Sequence, residues 1–407
     1  MLDGDGITWS ELNGLARQFG DSFYVVDDSA LAANVADFRS AFGSRYPATD
    51  VAYPYKANHL PDICRTLARL AVRAEVGSDM DLWLARRLDV DRTGIISNGP
   101  NRSPASLERV MRDGGTVIAD SLRDVRILQE LARSNARQAF PVGLRINFPL
   151  GGGSHPRLGL QVGGVEFDEA VARISGSPGL RLAGLHCHLP GHSVESFAER
   201  IRVLIRVADR FIPDSPEFLD IGGGFYGGVP SVYPEEGRAP TIADYAEAVC
   251  EQLISRYGKQ SNSPRLVVEP GTALVASALS FVTRVIHIKT VPGRSVANVA
   301  GSILDTSPNT RRVDFPVKVI GKADGAPGPF DVGGSTLMPD EFMCLGLPGP
   351  LAEGDFLVFG NVGAYSLSMV APFLRPDVAV LKRSPESGHW LQIRRRGTAE
   401  DVFAAML

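Results

Sequence analysis

The feature that most constrains this chain is a series of eight short apolar runs, at 51–55, 72–76, 93–97, 116–120, 142–147, 182–188, 218–221 and 266–269. Polar, helix-compatible segments separate them. Strand-length runs alternating with amphipathic segments predict βαβ units and a parallel sheet. Eight such units over roughly 220 residues predict a (β/α)8 barrel. Segments 105–112 and 194–211 read as two of its helices, and Ser103 with Pro104, and Thr241, read as helix starts. After about residue 275 the pattern changes. Short β-rich stretches follow at 281–289, 295–300, 315–320, 356–359, 378–382 and 390–394, with Gly/Pro turns between them, which predicts an all-β domain. The first 28 residues hold one helix-like piece and one strand-like piece, 23–26, expected to precede the barrel and pair with the C-terminal domain. The expected division is therefore 29–275 for the barrel, and 1–28 with 276–407 for the β-rich domain.

Hydrophobic residues make up 44% of the 407 and charged residues 22%, which places the chain among soluble globular proteins. The formal net charge is −4 and no basic block occurs, which argues against nucleic acid and membrane as partners. No apolar run approaches the ~20 residues that span a bilayer. The N-terminus, Met1 to Gly6, is acidic and lacks a signal-peptide pattern. Cys64, Cys187, Cys250 and Cys344 are scattered and form no CxxC pair, so neither a zinc site nor a disulfide framework is expected. A cytoplasmic location fits this pattern.

In a barrel of this kind chemistry belongs at the C-terminal ends of the strands. Lys56, Glu75, Arg145, His188, Asp220 and Glu269 fall at or near the ends of successive runs. A lysine at the end of a buried strand is costly to keep charged, and a neutral amine is a nucleophile of the kind that holds pyridoxal phosphate as a Schiff base. The competing reading of Lys56 is a side chain that snorkels at a strand end. Gly222, Gly223 and Gly224 follow the seventh run, where backbone N–H groups can approach a phosphate, although a tight turn also uses such glycines. Glu269 is either a partner for a protonated pyridine nitrogen or an ion-paired cap. His186 and His188, two apart on an expected strand, would point to one face. His188 suits stacking on a cofactor ring, and His186 suits a satisfied core position. No carboxylate cluster lies near them in sequence, so no metal site is expected.

Taken together, these residues resemble the fold-type III pyridoxal-phosphate-dependent decarboxylases, the group that contains diaminopimelate, ornithine and arginine decarboxylases. The resemblance runs from about Phe23 to about Phe373. Tyr55-Lys56-Ala57-Asn58 is similar to the family's Schiff-base lysine motif, and Glu75 to Ser78 to the motif whose acidic residue lies near lysine and ring. Gly99 to Arg102 and Ala119 to Ser121 follow in the family's order. Leu144 to Asn147 is similar to the strand whose arginine, here Arg145, meets the cofactor region. Arg157-Leu158-Gly159 stands where Lys-Phe-Gly is usual. Gly184 to His188 is similar to the motif whose second histidine stacks on the ring. Asp220 to Phe225 resembles the phosphate-binding glycine loop, Glu269-Pro270-Gly271 the partner of the pyridine nitrogen, and Gly363-Ala364-Tyr365 the tyrosine that reaches phosphate. The resemblance implies a homodimer with shared active sites.

Four departures bear on the reaction. Leu189 to His192 intervene before Ser193, the serine then left to meet phosphate. Thr272 stands where the family has arginine, and a hydroxyl cannot replace a bidentate guanidinium. Arg311-Arg312 lies near the expected arginine motif for a distal carboxylate without matching it. In Gly333 to Asp340 the aspartate of Gly-Pro-x-Cys-x-x-x-Asp is kept as Asp340, but Thr336 replaces the cysteine that donates a proton after carbon dioxide leaves. A hydroxyl is a far weaker acid than a thiol of pKa about 8.5. Cys344 is the alternative donor if the loop shifts register. These residues predict a decarboxylase of an amino acid, or of an amino-acid moiety in a larger or carrier-tethered molecule, in a specialised biosynthetic pathway. The alternatives are transamination, elimination or oxidation with the same cofactor, or a non-catalytic pyridoxal-phosphate carrier.

Overall fold

The computed structural model describes residues 7–133, 139–150, 156–229, 238–260, 262–307, 313–321 and 325–407. The chain forms two compact units. One comprises Ala32–Tyr226 and residues 238–271, and the other combines the N-terminal segment through Leu31, residues 227–229 and Thr272–Leu407. Three elements open the chain: helix α1 (Trp9–Phe19), strand β1 (Ser22–Val26) and helix α2 (Asp28–Gly43).

The first unit is the barrel. Its strands are β2 (Thr49–Pro54), β3 (Arg73–Val76), β4 (Ile95–Asn98), β5 (Thr116–Ala119), β6 (Phe140–Asn147), β8 (Leu180–His186), β9 (Phe218–Asp220) and β10 (Arg265–Val268), with a two-residue pairing on β6 as β7 (Leu160–Gln161). They pair in parallel in the order β5-β4-β3-β2-β10-β9-β8-β6, and β6 pairs with β5 to close the ring. Each of the eight apolar runs contributes one barrel strand. Between them lie α3 (Pro61–Arg69), α4 (Asp79–Arg87), α5 (Pro104–Arg112), α6 (Leu122–Arg133), α7 (Val165–Ser175), α8 (Val194–Phe211) and α9 (Ile242–Tyr257). Ser103 caps α5, whose first residue is Pro104, and Thr241 starts α9 with a reciprocal capping box to Asp244.

Alternation along the strands positions the site. Ala52, Ile96, Ile118 and Val267, from β2, β4, β5 and β10, form a buried cluster with Phe218 of β9 against it. A Cβ at Gly143 or Gly184 would lie 2.8 Å and 2.6 Å from the Phe218 ring, so these glycines make room for the aromatic plug. This is the apolar floor of the barrel. Side chains two residues apart on a strand share a face. One step above the floor therefore stand Asn98, Asp120, Arg145, His186, Asp220 and Glu269, with Glu75 from β3.

The second unit is a nine-stranded sheet made from β1, β11 (Leu279–Val291), β12 (Arg294–Val299), β13 (Val317–Ile320), β14 (Phe330–Gly333), β15 (Phe342–Leu347), β16 (Phe356–Phe359), β17 (Ala379–Arg383) and β18 (Trp390–Arg394). As expected, the N-terminal strand joins this sheet: β1 pairs antiparallel with β11 and parallel with β17. Leu12, Leu15 and Phe19 of α1 pack with Phe23, Val282, Phe356 and Leu381 in its core. Two strands, β14 and β15, are additional to those expected. Their flanking glycines and prolines obscure the period. Among the described residues, no helix is long and apolar enough to cross a membrane.

Candidate active site

The structure brings most of the expected residues to one end of the barrel. Lys56 lies just past β2, in the single turn Tyr55–Ala57, and its Nζ is 3.1 Å from Oε2 of Glu75. Its side chain is 48% exposed, which corrects the expectation of a lysine buried at a strand end. What is buried is its partner: Glu75 is fully enclosed. Burial pushes the Glu75 carboxyl up to about 7, while the Lys56 charge acts in the opposite sense.

Glu75 belongs to a buried polar layer. His186 Nε2 is 3.4 Å from Glu269 Oε2 and 3.1 Å from Asn98 Nδ2. Asp220 accepts from the Gly222 amide at 2.8 Å. Arg145 Nη1 is 3.3 Å from Asp120 Oδ1. Glu75, Asp220 and Glu269 are all buried, and three neighbouring carboxyls cannot all ionise in such a place. Burial, reinforced by the Glu269 charge, pushes Asp220 well above the carboxylate range. Burial also acts to raise Glu269, but its hydrogen-bond partner His186, with Lys56, outweighs that and holds it low. The negative charge of the layer therefore sits on Glu269, and Asp220 keeps a proton.

The two histidines occupy different settings, and one expectation is corrected. β8 ends at His186, so the two are not paired along one strand. His186 is wholly buried. His188 lies in the following loop, where its Nδ1 accepts from the Gly223 amide at 3.0 Å. Burial, aided by the Lys56 charge, holds His188 down to about 3, so it is neutral with its hydrogen on Nε2. His186, Asp220 and Glu269 offer donor atoms within 4.8 Å of one another, a set that could hold a metal ion. The sequence concealed that Asp220 and Glu269 meet His186, because one ends β9 and the other lies just past β10.

Gly222 and Gly224 adopt φ of +67° and +101°, which only glycine takes easily. A Cβ at Gly222 would also lie 2.6 Å from the Cys187 carbonyl. Ser193 caps α8 by accepting from the Ser196 amide at 3.2 Å, so the glycine loop lies near the N-terminus of an 18-residue helix: a Cβ on Gly224 would sit 3.4 Å from the Gly191 carbonyl. Arg102 ties the ends of β4 and β5 by donating to the carbonyls of Ser97 and Ile118 and pairing with Asp124 at 2.6 Å.

The remaining expected residues belong to the second unit, except Gly271, which ends the first. Thr272 opens a short helix. Tyr365 is 39% exposed at φ +58°. Thr336 lies between β14 and β15; its amide donates to Glu341 Oε2 at 3.0 Å and its hydroxyl to the same oxygen. Asp340 is exposed. Cys344 pairs with Val332 within the β14–β15 ladder. A register shift bringing it to the place of Thr336 would break that ladder. Arg311 and Arg312 lie outside the described residues. Sequence reasoning gave no role to Asn98, Asp120 or Asp124, although counting two residues up from the apolar floor flags the first two.

A family profile described as "Pyridoxal-dependent decarboxylase, pyridoxal binding domain" matches residues 30–276. The chain belongs to this family. It is 26% identical to the diaminopimelate decarboxylase of Pseudomonas aeruginosa over 97% of this chain and 94% of the relative. It is 25% identical to an L-glutamyl-[BtrI acyl-carrier protein] decarboxylase of Niallia circulans over 98% of this chain and 96% of the relative. Its fold matches the crystal structure of diaminopimelate decarboxylase from M. jannaschii with a TM-score of 0.86, covering 97% of this chain and 94% of that one, at 23% identity. The chain is a pyridoxal-phosphate-dependent amino-acid decarboxylase.

The barrel's residues fit the cofactor. Oε1 of Glu269 and Oδ2 of Asp220 are buried with no hydrogen-bond donor among the described residues. The Asp220 proton satisfies part of this set. A carboxylate has about four acceptor positions, and the Glu269 charge still calls for an N–H donor. A protonated ring nitrogen is such a donor.

Proposed function

We propose that this enzyme removes the α-carboxylate of a specialised substrate, an amino acid or an amino-acid moiety of a larger molecule, with Lys56 as the cofactor-binding amine. The observation that carries the reading is the pairing of one half-exposed amine, Lys56, with a buried carboxyl, Glu75, at 3.1 Å, in the same polar layer as Glu269. Pyridoxal phosphate, when bound, supplies an electron sink for the bond that breaks. Glu75 is poised near neutrality to take up or return the proton that Lys56 exchanges. Glu269 is the anion that keeps a ring nitrogen protonated, and the Asp220 proton with His186 holds that charge in place. Neutral His188 is fixed by the Gly223 amide and offers a flat face beside the glycine loop. Two departures favour a substrate other than diaminopimelate: Thr272 cannot clamp a carboxylate as arginine does, and Arg311-Arg312 does not match the family's arginine motif for a distal carboxylate. The carrier-bound glutamyl substrate in the name of the Niallia relative supports the same direction.

The test is incubation with diaminopimelate, lysine, ornithine, arginine and glutamyl-pantetheine thioester, measuring carbon dioxide beside keto-product. Release from one of these other than diaminopimelate supports the proposal. Steady keto-product with no release from any would sink it, as would preference for diaminopimelate. Lys56→Ala should abolish turnover and the visible band of lysine-bound cofactor. Borohydride should fix the cofactor mass on the Lys56 peptide of the wild type.

A further inference from the structure

Arg200, on the inner face of α8, is wholly buried, and among the described residues no carboxylate pairs with it. Its guanidinium instead donates to four backbone carbonyls: Nη1 to Gly223 at 2.7 Å and Ile221 at 3.3 Å, Nη2 to Leu189 at 2.6 Å and Gly191 at 2.8 Å. Its cationic carbon sits 4.0 Å from the centroid of the Phe197 ring. The four acceptors belong to two loops, the one after β8 and the glycine loop after β9. One side chain thus bridges both loops at their base.

Two consequences follow from elementary chemistry. A trans peptide points its N–H opposite to its C=O. Drawing the Gly191 and Gly223 carbonyls toward the guanidinium turns the His192 and Gly224 amides away from it. The second consequence concerns charge. A guanidinium stays protonated in a protein, and a buried cation without a counter-ion is costly. Carbonyl dipoles and the Phe197 face offset part of that cost. An anion held by the outward amides would offset more. Further contacts close the same two loops: His192 Nδ1 donates to the Gly224 carbonyl at 2.6 Å, and the Tyr245 hydroxyl to the His192 carbonyl.

We propose that Arg200 is a positioning residue for the cofactor's phosphate: from behind the loops it sets the direction of their amides and supplies the positive charge that makes the cradle select a phosphate dianion. This rests on the barrel site being the cofactor site. The test compares the affinity of cofactor-free protein for pyridoxal phosphate with that for pyridoxal, which lacks the phosphate, by the visible band and by quenching of protein fluorescence. The wild type should prefer the phosphorylated form strongly. Arg200→Met should lower the ratio of the two affinities by at least about tenfold, the scale of losing charge-assisted hydrogen bonds. Arg200→Lys keeps the charge but not the fork and should fall between them. Equal loss of both affinities in Arg200→Lys, or an unchanged ratio in either variant, would overturn the proposal, because a merely structural arginine would not discriminate between the two ligands. If Arg200→Met does not fold, Arg200→Lys decides alone. Failure of the wild type to bind either ligand would instead undo the placement of the cofactor, a distinguishable result.

Discussion

At the scale of the residue, the pair Lys56–Glu75 illustrates how a fold moves an expected perturbation from one partner to the other. The sequence placed the cost of burial on the lysine. The turn Tyr55–Ala57 lifts the lysine out, and the glutamate one strand over bears the burial. The consequence is a pH dependence in the cofactor-free protein. The folded Glu75 carboxyl titrates at about 7, against 4.5 as the reference value. Between those values the folded state holds a proton that the unfolded state has released, so unfolding releases a proton and rising pH favours it. The contribution of Glu75 is therefore fully present below pH 4.5, declines as pH rises to about 7 and is constant above that. Urea unfolding of the cofactor-free protein, compared with Glu75→Gln, should show the wild type losing stability relative to the variant across this window. A constant difference across it would contradict the assignment. That Lys56, Glu75, His188 and Glu269 fall at one end of the barrel was legible in the sequence. Their burial was not, because burial depends on what neighbouring strands place around each group.

At the scale of the element, the strands explain why an apolar pattern ends in charged chemistry. Four barrel strands contribute an apolar floor residue and, two positions later, a polar one: Ile96 then Asn98, Ile118 then Asp120, Phe218 then Asp220, Val267 then Glu269. The eight runs were readable because buried parallel strands are nearly continuous in apolar residues. Their ends were not, and His188 was expected on a strand that stops at His186. The Phe218 plug was also hidden, since its counterparts are glycines that carry no apolar signal. Gly143→Ala should cost about 1–3 kcal/mol, because its Cβ would lie 2.8 Å from the Phe218 ring and 3.2 Å from Ile118. Phe218→Leu should recover part of that loss when combined with it. The check is a double-mutant cycle by denaturant unfolding; strict additivity would show that the ring is not the obstacle.

At the scale of the whole molecule, the chain commits its N-terminal strand to the unit formed mostly by its C-terminal third. Sequence separation hides such pairing from local patterns, yet the isolated strand-like piece at 23–26 already needed a sheet to join. The family resemblance adds a second long-range expectation, a homodimer whose sites take residues from both copies. Lys56 belongs to one unit and Asp340 to the other, and Asp340 is exposed. Leu337, three residues before it, is 82% exposed, and Met369, Phe373 and Leu374 also present apolar surface on that unit. Apolar surface of this kind suits an interface. If each site takes Lys56 from one copy and Asp340 from its partner, Lys56→Ala and Asp340→Asn homodimers are each inactive. Subunit exchange between equal amounts of the two puts half of the molecules into mixed dimers, each with one intact site and one site lacking both groups. Activity should then return to about a quarter of the wild-type value. If each chain instead builds its site alone, every site in the mixture lacks one group, and activity stays at the level of the separate variants however long the subunits exchange. Sedimentation of the wild type as a monomer would exclude the shared site directly.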